Sequence, residues 1–185
     1  MSIKIFYTAS FYGKAQYQKE YDMVRESILK TGVDMISPEL GGYTQVLSKR
    51  ERDRLRDKNS IHYASIKRGI MMCDATVIEV SREDFQLGHE ATLAIQAKKH
   101  VLCLSVNEDY SKKIKNPYFH GARYNRYNID EVIGRFISKV DREGLSERFN
   151  FFLSPSQLTY ISEQARLEGR TTADYLRGLI ENDMG

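Results

Sequence analysis

The stretch that decides the fold is residues 73–91, Cys-Asp-Ala-Thr-Val-Ile-Glu-Val-Ser-Arg-Glu-Asp-Phe-Gln-Leu-Gly-His-Glu-Ala. Its first eight residues are mostly apolar and β-branched, which is typical of a buried strand in a parallel sheet. The loop that follows carries acids and a glycine before a helix rich in small residues. Ligands bind at the carboxyl ends of the strands in an open α/β sheet, so we expect Asp84 and Glu90 in a ligand site.

Glu90 is the residue of this stretch with the most direct chemical use. We expect Gly88 to let the backbone turn towards a ligand, and Glu90 to begin a helix over residues 90–98 whose N-terminal dipole favours a carboxylate. An ionised Glu held in a cleft can act as a nucleophile. An acid that only caps the first helical turn would give the same pattern, and this loop alone does not separate the two interpretations.

The N-terminal residues predict another part of the same site. Residues 3–9 alternate and are rich in β-formers, which indicates a first strand, and residues 10–14 form a glycine-containing loop before a helix over 15–30. A strand, a glycine loop and a helix in this order can cradle a ligand. Phe6 and Tyr7 should point to opposite faces of the strand, although both also fit as ordinary strand aromatics.

Together these segments resemble the nucleoside 2-deoxyribosyltransferase family and its relatives, the nucleotide N-glycoside hydrolases. The resemblance runs from about residue 3 to about residue 122 and lies in the order and spacing of several elements. They are an Asp that opens a strand, an acid or Ser in the loop, Gly-x-Glu, and a Gly/Ala-rich helix leading to the next strand. The positions that carry it are Asp74, Glu79-Val80, Asp84, Leu87-Gly88-His89-Glu90, Ala91-Thr92-Leu93-Ala94 and residues 99–104.

The resemblance implies an α/β fold, with a Rossmann-like, doubly wound parallel sheet, and a glycosidase or transferase that needs no cofactor and no metal. It implies that Glu90 attacks the anomeric carbon, that Asp74 protonates or holds the departing base, and that Asp84 is the third catalytic acid. Phe6 stands where the family commonly has a Tyr that orients the nucleophile. The substrate-binding residues that it implies are Phe6, Tyr7, Ser10, Gly13 and Gly88, with Ser10 and Gly13 at the sugar or phosphate end.

Asp84 bears on the substrate class. In the resembled family, enzymes for free nucleosides tend to have Asp at this position, whereas hydrolases of nucleoside monophosphates tend to have Ser. A carboxylate repels a phosphate unless a cation such as Lys14 neutralises it. The pattern favours a nucleoside-type substrate, while a nucleotide or NAD-like molecule, and hydrolysis or transfer, stay open.

Composition limits the other classes. The 185 residues are 41% hydrophobic, enough for one core of ordinary size and a small appendage. No apolar run approaches the roughly 18 residues of a membrane span, and the chain enters a strand almost at once, so we predict a cytoplasmic protein without membrane contact. Cys73 and Cys103 fall in predicted strands without metal or redox spacing, which favours core packing. The four His residues are scattered and form no metal motif.

Residues 49–58 contain six basic and three acidic side chains. Runs of mixed sign usually form solvated helical faces or mobile loops. A lid or a polyanion contact is the alternative, because this connection borders the site in the resembled fold. The residues that follow predict an amphipathic helix over 61–72, a short strand near 122–127 and a helix over 130–140.

The sequence predicts two domains, over residues 1–143 and 147–185. Residues 147–153 alternate with three apolar side chains on one face, Ser154-Pro155 begins a helix that Gly169 ends, and a second helix runs to about residue 182. One strand and two helices of this size cannot bury a core alone, so we expect them to pair with a second copy of the chain.

Residues 147–184 resemble the ribbon-helix-helix family, in which two chains form a two-stranded antiparallel ribbon on four helices. The resemblance implies a homodimer or higher oligomer, and a ribbon whose outward residues contact DNA or a nucleoprotein. Those residues are here Arg148, Asn150 and Phe152. Residues 144–185 hold four Arg and six acids, a net charge of −2, which weakens phosphate attraction, so assembly alone and DNA binding both stay open.

Two functions therefore remain. The first is an N-glycosidase that releases or transfers the base of a nucleoside-type substrate through a glycosyl-enzyme at Glu90. Members of the resembled family also serve as toxic effectors of bacterial anti-phage systems such as retrons, and the two-domain layout resembles theirs. The second is a ribbon-helix-helix DNA-binding regulator whose first domain is an inactive nucleotide sensor. Phe6 and the complete tail favour the second function, whereas Asp74, Asp84 and Glu90 together favour the first.

Overall fold

The computed structural model describes residues 3–55, 57–143 and 151–184. Five strands form one sheet in the order β2-β1-β3-β4-β5, and every neighbouring pair is parallel. This confirms the predicted α/β class with a parallel sheet. The strands are β1 (Lys4–Ala9), β2 (Asp34–Ile36), β3 (Ala75–Glu79), β4 (His100–Ser105) and β5 (Phe119–Arg123).

Helices cover both faces of the sheet. One apolar cluster joins β1, β3 and β4 to α1 (Lys14–Lys30) and α5 (Ile129–Glu143). The other joins the opposite faces of these strands to α3 (Lys58–Met72) and α4 (Phe85–Gln96). All five residues of β3 are buried, as expected of a central strand that both layers cover.

The strand order reverses between β1 and β3. From β1 the chain passes to β2 on one side, and it then returns to β3 on the other side of β1. The loops after β1 and β3 therefore diverge at the same edge of the sheet and leave a crevice between them, which is where open α/β sheets bind ligands.

The helix after β3 begins earlier than the sequence predicts. Asp84 is its N-cap, and its side chain accepts a hydrogen bond from the backbone N–H of Gln86. The prediction that Glu90 begins the helix is wrong, because Glu90 lies in the second turn of α4. The turn expected at Gly88 is also wrong, because Gly88 is helical and its N–H donates to the Asp84 carbonyl at 3.3 Å.

Gly13 and Gly69 are required by close approach rather than by a turn. A Cβ on Gly13 would lie 2.7 Å from Cβ of Arg82, and a Cβ on Gly69 would lie 2.6 Å from Cε2 of Phe6. Both distances are well below a van der Waals contact, so each glycine lets a neighbouring element pack against its backbone.

The mixed-charge segment forms a solvated helix over most of its described residues. Helix α2 (Lys49–Arg54) begins at Ser48, which shares a reciprocal capping box with Glu51. The guanidinium of Arg52 turns inward and donates to the carbonyls of Thr44 and Leu47, at 3.1 and 2.6 Å. Asp57 then caps α3. The strand predicted near residues 122–127 corresponds in part to β5, which begins three residues earlier and ends at Arg123.

The chain divides into two compact units, Met1–Ser146 and Glu147–Gly185. In the second unit, α6 (Pro155–Leu167) has a capping box at Ser154, and α7 (Thr172–Met184) follows a left-handed Gly169, with φ of +67°. A small core forms between the helices from Ile161, Ala165 and Tyr175, with Leu153 and Leu176 beside it.

The ribbon predicted for the tail falls largely outside the described residues. Arg148 and Asn150 are among those not described, so their proposed contact with DNA stays a prediction, as does the ribbon-helix-helix assignment. Phe152 is described, and its side chain is fully exposed. No helix within the described ranges is long and apolar enough to cross a lipid bilayer.

Candidate active site

Glu90 is a buried acid in the layer between α4 and the sheet. Its relative exposure is 1%, and it lies on the face of α4 that also buries Leu87 and Ala91. Oε1 accepts a hydrogen bond from Nε2 of Gln86 at 3.0 Å, one helical turn earlier. Oε2 is buried and has no hydrogen-bond partner among the described residues. A buried carboxyl oxygen without a partner is costly, which makes it a candidate contact for a ligand.

The surroundings of Glu90 favour its neutral form. Burial raises the pKa of this carboxyl to about 7, hydrogen bonding from Gln86 and Thr8 opposes the rise, and the charge of Asp84 adds to it. The Thr8 hydroxyl therefore lies close enough to favour the ionised carboxylate, but it makes no hydrogen bond of normal geometry to Oε2. The sequence predicts that the helix dipole favours the Glu90 carboxylate. This prediction is wrong, because Glu90 lies in the second turn of α4 and the dipole effect fades beyond the first turn.

Asp84 ties together the loops that flank the crevice. Oδ1 accepts from the backbone N–H of Gln86 at 2.9 Å, and Oδ2 accepts from Oγ of Ser10 at 2.8 Å. Ser10 directly follows β1, whereas Asp84 belongs to the loop after β3. The structure thus brings Ser10, Asp84 and Glu90 together at the edge where the strand order reverses.

A chain of side chains leads away from Glu90 towards α3. Nε2 of Gln86 lies 2.7 Å from Nε2 of His62, and Nδ1 of the same imidazole lies 2.7 Å from Oη of Tyr43. Tyr43 belongs to a 3-10 turn in the segment after β2. The carboxyl group is therefore connected through Gln86 and His62 to a second layer of polar side chains.

Two aromatic side chains stand exposed beside the hydrogen bond that joins these loops. Phe11 follows Ser10 and is 73% exposed, and Phe85 follows Asp84 and is 94% exposed. Ser10 donates a hydrogen bond to Asp84, and each of the two aromatic residues directly follows one of these partners in the chain. Exposed aromatic faces can stack on a planar base. Lys14 lies 3.1 Å from Glu39, so its charge is already paired.

The structure does not bring Asp74 to this site. Asp74 precedes β3, and its Oδ2 accepts from the backbone N–H of Lys4 at 2.7 Å, at the amino ends of the strands. At about 3.3 Å per residue, the length of β3 separates Asp74 from the crevice by roughly 15 Å. The proposed role of Asp74 as proton donor is therefore corrected: its carboxylate joins β1 to β3.

The remaining predicted binding residues have different surroundings. Phe6 is fully buried on the side of the sheet that carries α3 and α4, and it has no hydroxyl to offer Glu90. Tyr7 faces the other side, as strand alternation predicts, and its Oη donates to the Tyr21 carbonyl at 2.9 Å. Gly13 is buried, whereas open space lies beside Gly88 on the exposed face of α4.

A second buried acid, Glu79, lies at the end of β3 on the opposite side of the sheet. Burial raises the pKa of its carboxyl to about 7, against the hydrogen bonds from Ser81 and Tyr124. Oη of Tyr124 donates to it at 3.0 Å, and the hydroxyl and backbone N–H of Ser81 donate as well. With this many donors Glu79 is internally satisfied, which fits a structural role in joining β3 to the segment after β5.

Sequence reasoning did not select Thr8, Gln86, His62 or Tyr43 for this site. The spacing of Gln86 and Glu90, four residues apart on a helix, is a local signal that becomes visible once α4 begins at Phe85. Thr8 shares a strand face with Phe6, and this too is a local pattern. The contact between His62 and Gln86 joins separate helices, and neither segment alone indicates it.

The solved structures that resemble this chain include two at low sequence identity. No protein-family model matches this chain, and no curated protein matches it. The structure of a CMP N-glycosidase from Clostridium botulinum, BcmB, has a TM-score of 0.45 and 13% sequence identity, covering 73% of this chain and 98% of that one. A conserved protein from Enterococcus faecalis V583 has a TM-score of 0.44 and 14% identity, covering 77% of this chain and 99% of that one.

Proposed function

We propose that this chain is an N-glycosidase that acts on a nucleoside-type substrate, with Glu90 as its nucleophile. The observation that carries the proposal is the Glu90 carboxyl, which is buried at the carboxyl edge of the sheet and has one oxygen without a partner. A carboxylate held in this way can attack an anomeric carbon. The family resemblance of the sequence points to the same residue.

The reaction would proceed in two steps. A carboxyl oxygen of Glu90 forms an ester with the anomeric carbon while the bond to the base breaks, and the bonding electrons leave with the base. The departing base takes up a proton at the open mouth of the crevice. The oxygen of a water molecule then bonds to the anomeric carbon, the bond to Glu90 breaks to restore the carboxylate, and the proton that the water loses passes to solvent. With a second base as the acceptor, the same intermediate would give transfer.

Two features of the crevice support the proposed reaction, one suited to a planar base and the other to the sugar. The exposed rings of Phe11 and Phe85 provide stacking surface beside the Ser10–Asp84 link. Both Asp84 oxygens already accept hydrogen bonds from the protein. Asp84 therefore positions the loops as well as adding negative charge near Glu90. That charge would help to stabilise the positive character that the sugar develops as its base departs.

The direct test is a substrate panel. We expect the purified protein to release free base from at least one ribonucleoside, 2′-deoxynucleoside, nucleoside monophosphate or NAD, measured by chromatography. Adding a different free base in a second series distinguishes transfer, which forms a new nucleoside, from hydrolysis. A heat-treated sample is the blank. If no compound of the panel releases free base, the proposed activity is contradicted.

The pH dependence of this reaction follows from the surroundings of Glu90. The nucleophile must be ionised, and its pKa is raised to about 7. We therefore expect kcat/KM to reach a plateau above that value and to fall about tenfold per pH unit below it. Steady-state rates measured between about pH 5 and pH 9 in buffers of constant ionic strength would show this limb. A profile that is level down to the ordinary pKa range of a glutamate would contradict ionisation of a buried Glu90 as the controlling step.

For the second unit we propose assembly with another copy of the chain. Apolar side chains on its two helices remain exposed in the single chain, among them Leu158, Leu167 and Ile180. The small core formed by Ile161, Ala165 and Tyr175 buries few apolar groups for two helices. DNA contact by Arg148, Asn150 and Phe152, and a role as an anti-phage effector, stay predictions.

A further inference from the structure

We propose that Gln86 and His62 are positioning residues that orient Glu90 and set its protonation, with Tyr43 holding the far end of the chain. The proposal concerns how the carboxyl is controlled, and its catalytic consequence rests on the proposed function. The relay is defined here as Tyr43, His62, Gln86 and Glu90. Its three contacts measure 2.7, 2.7 and 3.0 Å between the heavy atoms.

The hydrogen-bond polarity of the relay follows from the chemistry of its members. Nε2 of Gln86 carries two protons, so it can donate to Oε1 of Glu90 and to Nε2 of His62 at the same time. His62 must then accept at Nε2 and carry its proton on Nδ1, which donates to Oη of Tyr43. This arrangement suits an ionised Glu90, because each carboxylate oxygen can only accept.

A second arrangement is equally consistent when Glu90 is protonated. The amide of Gln86 turns over, so that its oxygen accepts from the Glu90 hydroxyl and from an N–H at Nε2 of His62. Nδ1 of His62 then accepts from the Tyr43 hydroxyl. Every contact is again a donor facing an acceptor. The relay therefore has two complete states, and the proton on Glu90 selects between them.

The hydrogen bond from Gln86 is the only one of normal geometry that the described residues give this carboxyl. Phe6, on the facing strand, has no hydroxyl, and Oε2 has no hydrogen-bond partner among the described residues. The groups that face the carboxyl are Thr8 on β1, Asp84 before α4 and Gln86 on α4, and His62 on α3 reaches it through Gln86. Hydrogen bonding from Gln86 favours the ionised form, whereas Asp84 disfavours it. Adjacent His89 stacks on Tyr63, with ring centroids 5.7 Å apart.

The test measures the titration of Glu90 itself. Carbon-13 NMR of labelled Glu side chains, with the Glu90 signal assigned from its absence in Glu90→Gln, follows the carboxyl with pH. We expect Gln86→Leu to raise the pKa of Glu90 by about one unit, because the hydrogen bond that Gln86 donates to the ionised carboxylate is charge-assisted and stronger than the one that it accepts from the protonated acid. His62→Phe should shift it in the same direction by a smaller amount, because Gln86 loses its fixed partner. The acid limb of kcat/KM should move with the titration.

Conservative and distant variants separate positioning from general structure. His62→Gln keeps a hydrogen-bonding group and should restore most of the parental titration, whereas His62→Phe should not. Gln96→Leu makes the same chemical change as Gln86→Leu at an exposed position of the same helix, and it should leave the Glu90 titration unchanged. If Gln86→Leu does not fold, the comparison of the two His62 variants decides.

The possible outcomes separate the relay from the glycosidase activity. An unchanged Glu90 titration in folded Gln86→Leu, or equal titrations in the His62 variants, would overturn the relay. Shifted titrations in a protein that releases no base from any substrate would keep the relay and reject the glycosidase. Shifted titrations that move the pH profile in parallel would support both.

Discussion

Glu90→Gln should abolish base release while the fold stays intact. The amide keeps the shape of the side chain but cannot form the glycosyl ester, so we expect kcat/KM to fall by at least about a thousandfold, or roughly 4 kcal/mol of barrier. Chromatography of free base measures the loss, and circular dichroism measures the fold. Retention of activity within about tenfold of the parent would remove Glu90 from the nucleophile role.

Glu83→Gln is the matched control for this variant. Glu83 is an exposed acid of the loop before α4, and its Oε1 accepts from Oη of Tyr110 at 2.8 Å. It should retain most of the activity.

Thermal unfolding of Glu90→Gln gives a second comparison with the parent protein. The pKa of Glu90 is higher in the folded protein than in the unfolded chain. Its contribution to the free energy of unfolding therefore falls as the pH rises from the ordinary pKa of a glutamate to about 7. Glu90→Gln lacks this loss, so its stability relative to the parent should increase over that range.

Removal of residues 147–185 should lower the number of subunits in the particle. The two tail helices expose apolar side chains, and an exposed surface of this kind is expected to be covered by a partner. Light scattering on the full chain and on residues 1–146 would show the change. If both particles contain the same number of subunits, the tail is not the main interface, and the first unit assembles without it.

A single substitution tests the same surface without deletion. Ile180→Asp places a charge on an exposed apolar position of α7, and it should weaken assembly at low protein concentration. Asn182→Asp adds the same charge at an exposed polar position of the same helix and should leave assembly unchanged. Equal particle masses for the two variants would argue against α7 as the contact.

The fold was predictable where the pattern is local. The β-branched run in residues 75–80 identified the central strand, and the order of strands and helices identified the parallel sheet. The start of α4 was missed because Asp84 looked like a loop acid. Its side chain is an N-cap, and a cap is recognised only when the following residues are taken as helical. The sequence pattern therefore assigns the first five residues of α4, residues 85–89, to the loop.

The site was predictable in part for the same reason. Asp84 and Glu90 belong to one loop and one helix, so their proximity follows from a short segment. Asp74 was misplaced because strand direction separates the two ends of β3, although the chain positions are close. The contacts of Tyr43, His62 and Gln86 could not be predicted from the sequence, because the three residues belong to separate segments of the chain. Burial, which sets the pKa of Glu90, is likewise a property of the packed layers.

The close approach of Phe6 to Gly69 couples two distant positions of the chain. The aromatic ring occupies the volume that any side chain at position 69 would need, so α3 can lie against β1 only while residue 69 is a glycine. Enlarging residue 69 demands a smaller residue 6, and the two must change in concert. Residues 6 and 69 therefore form a steric pair, and an engineered hydroxyl at position 6 has to be accommodated by the backbone of α3.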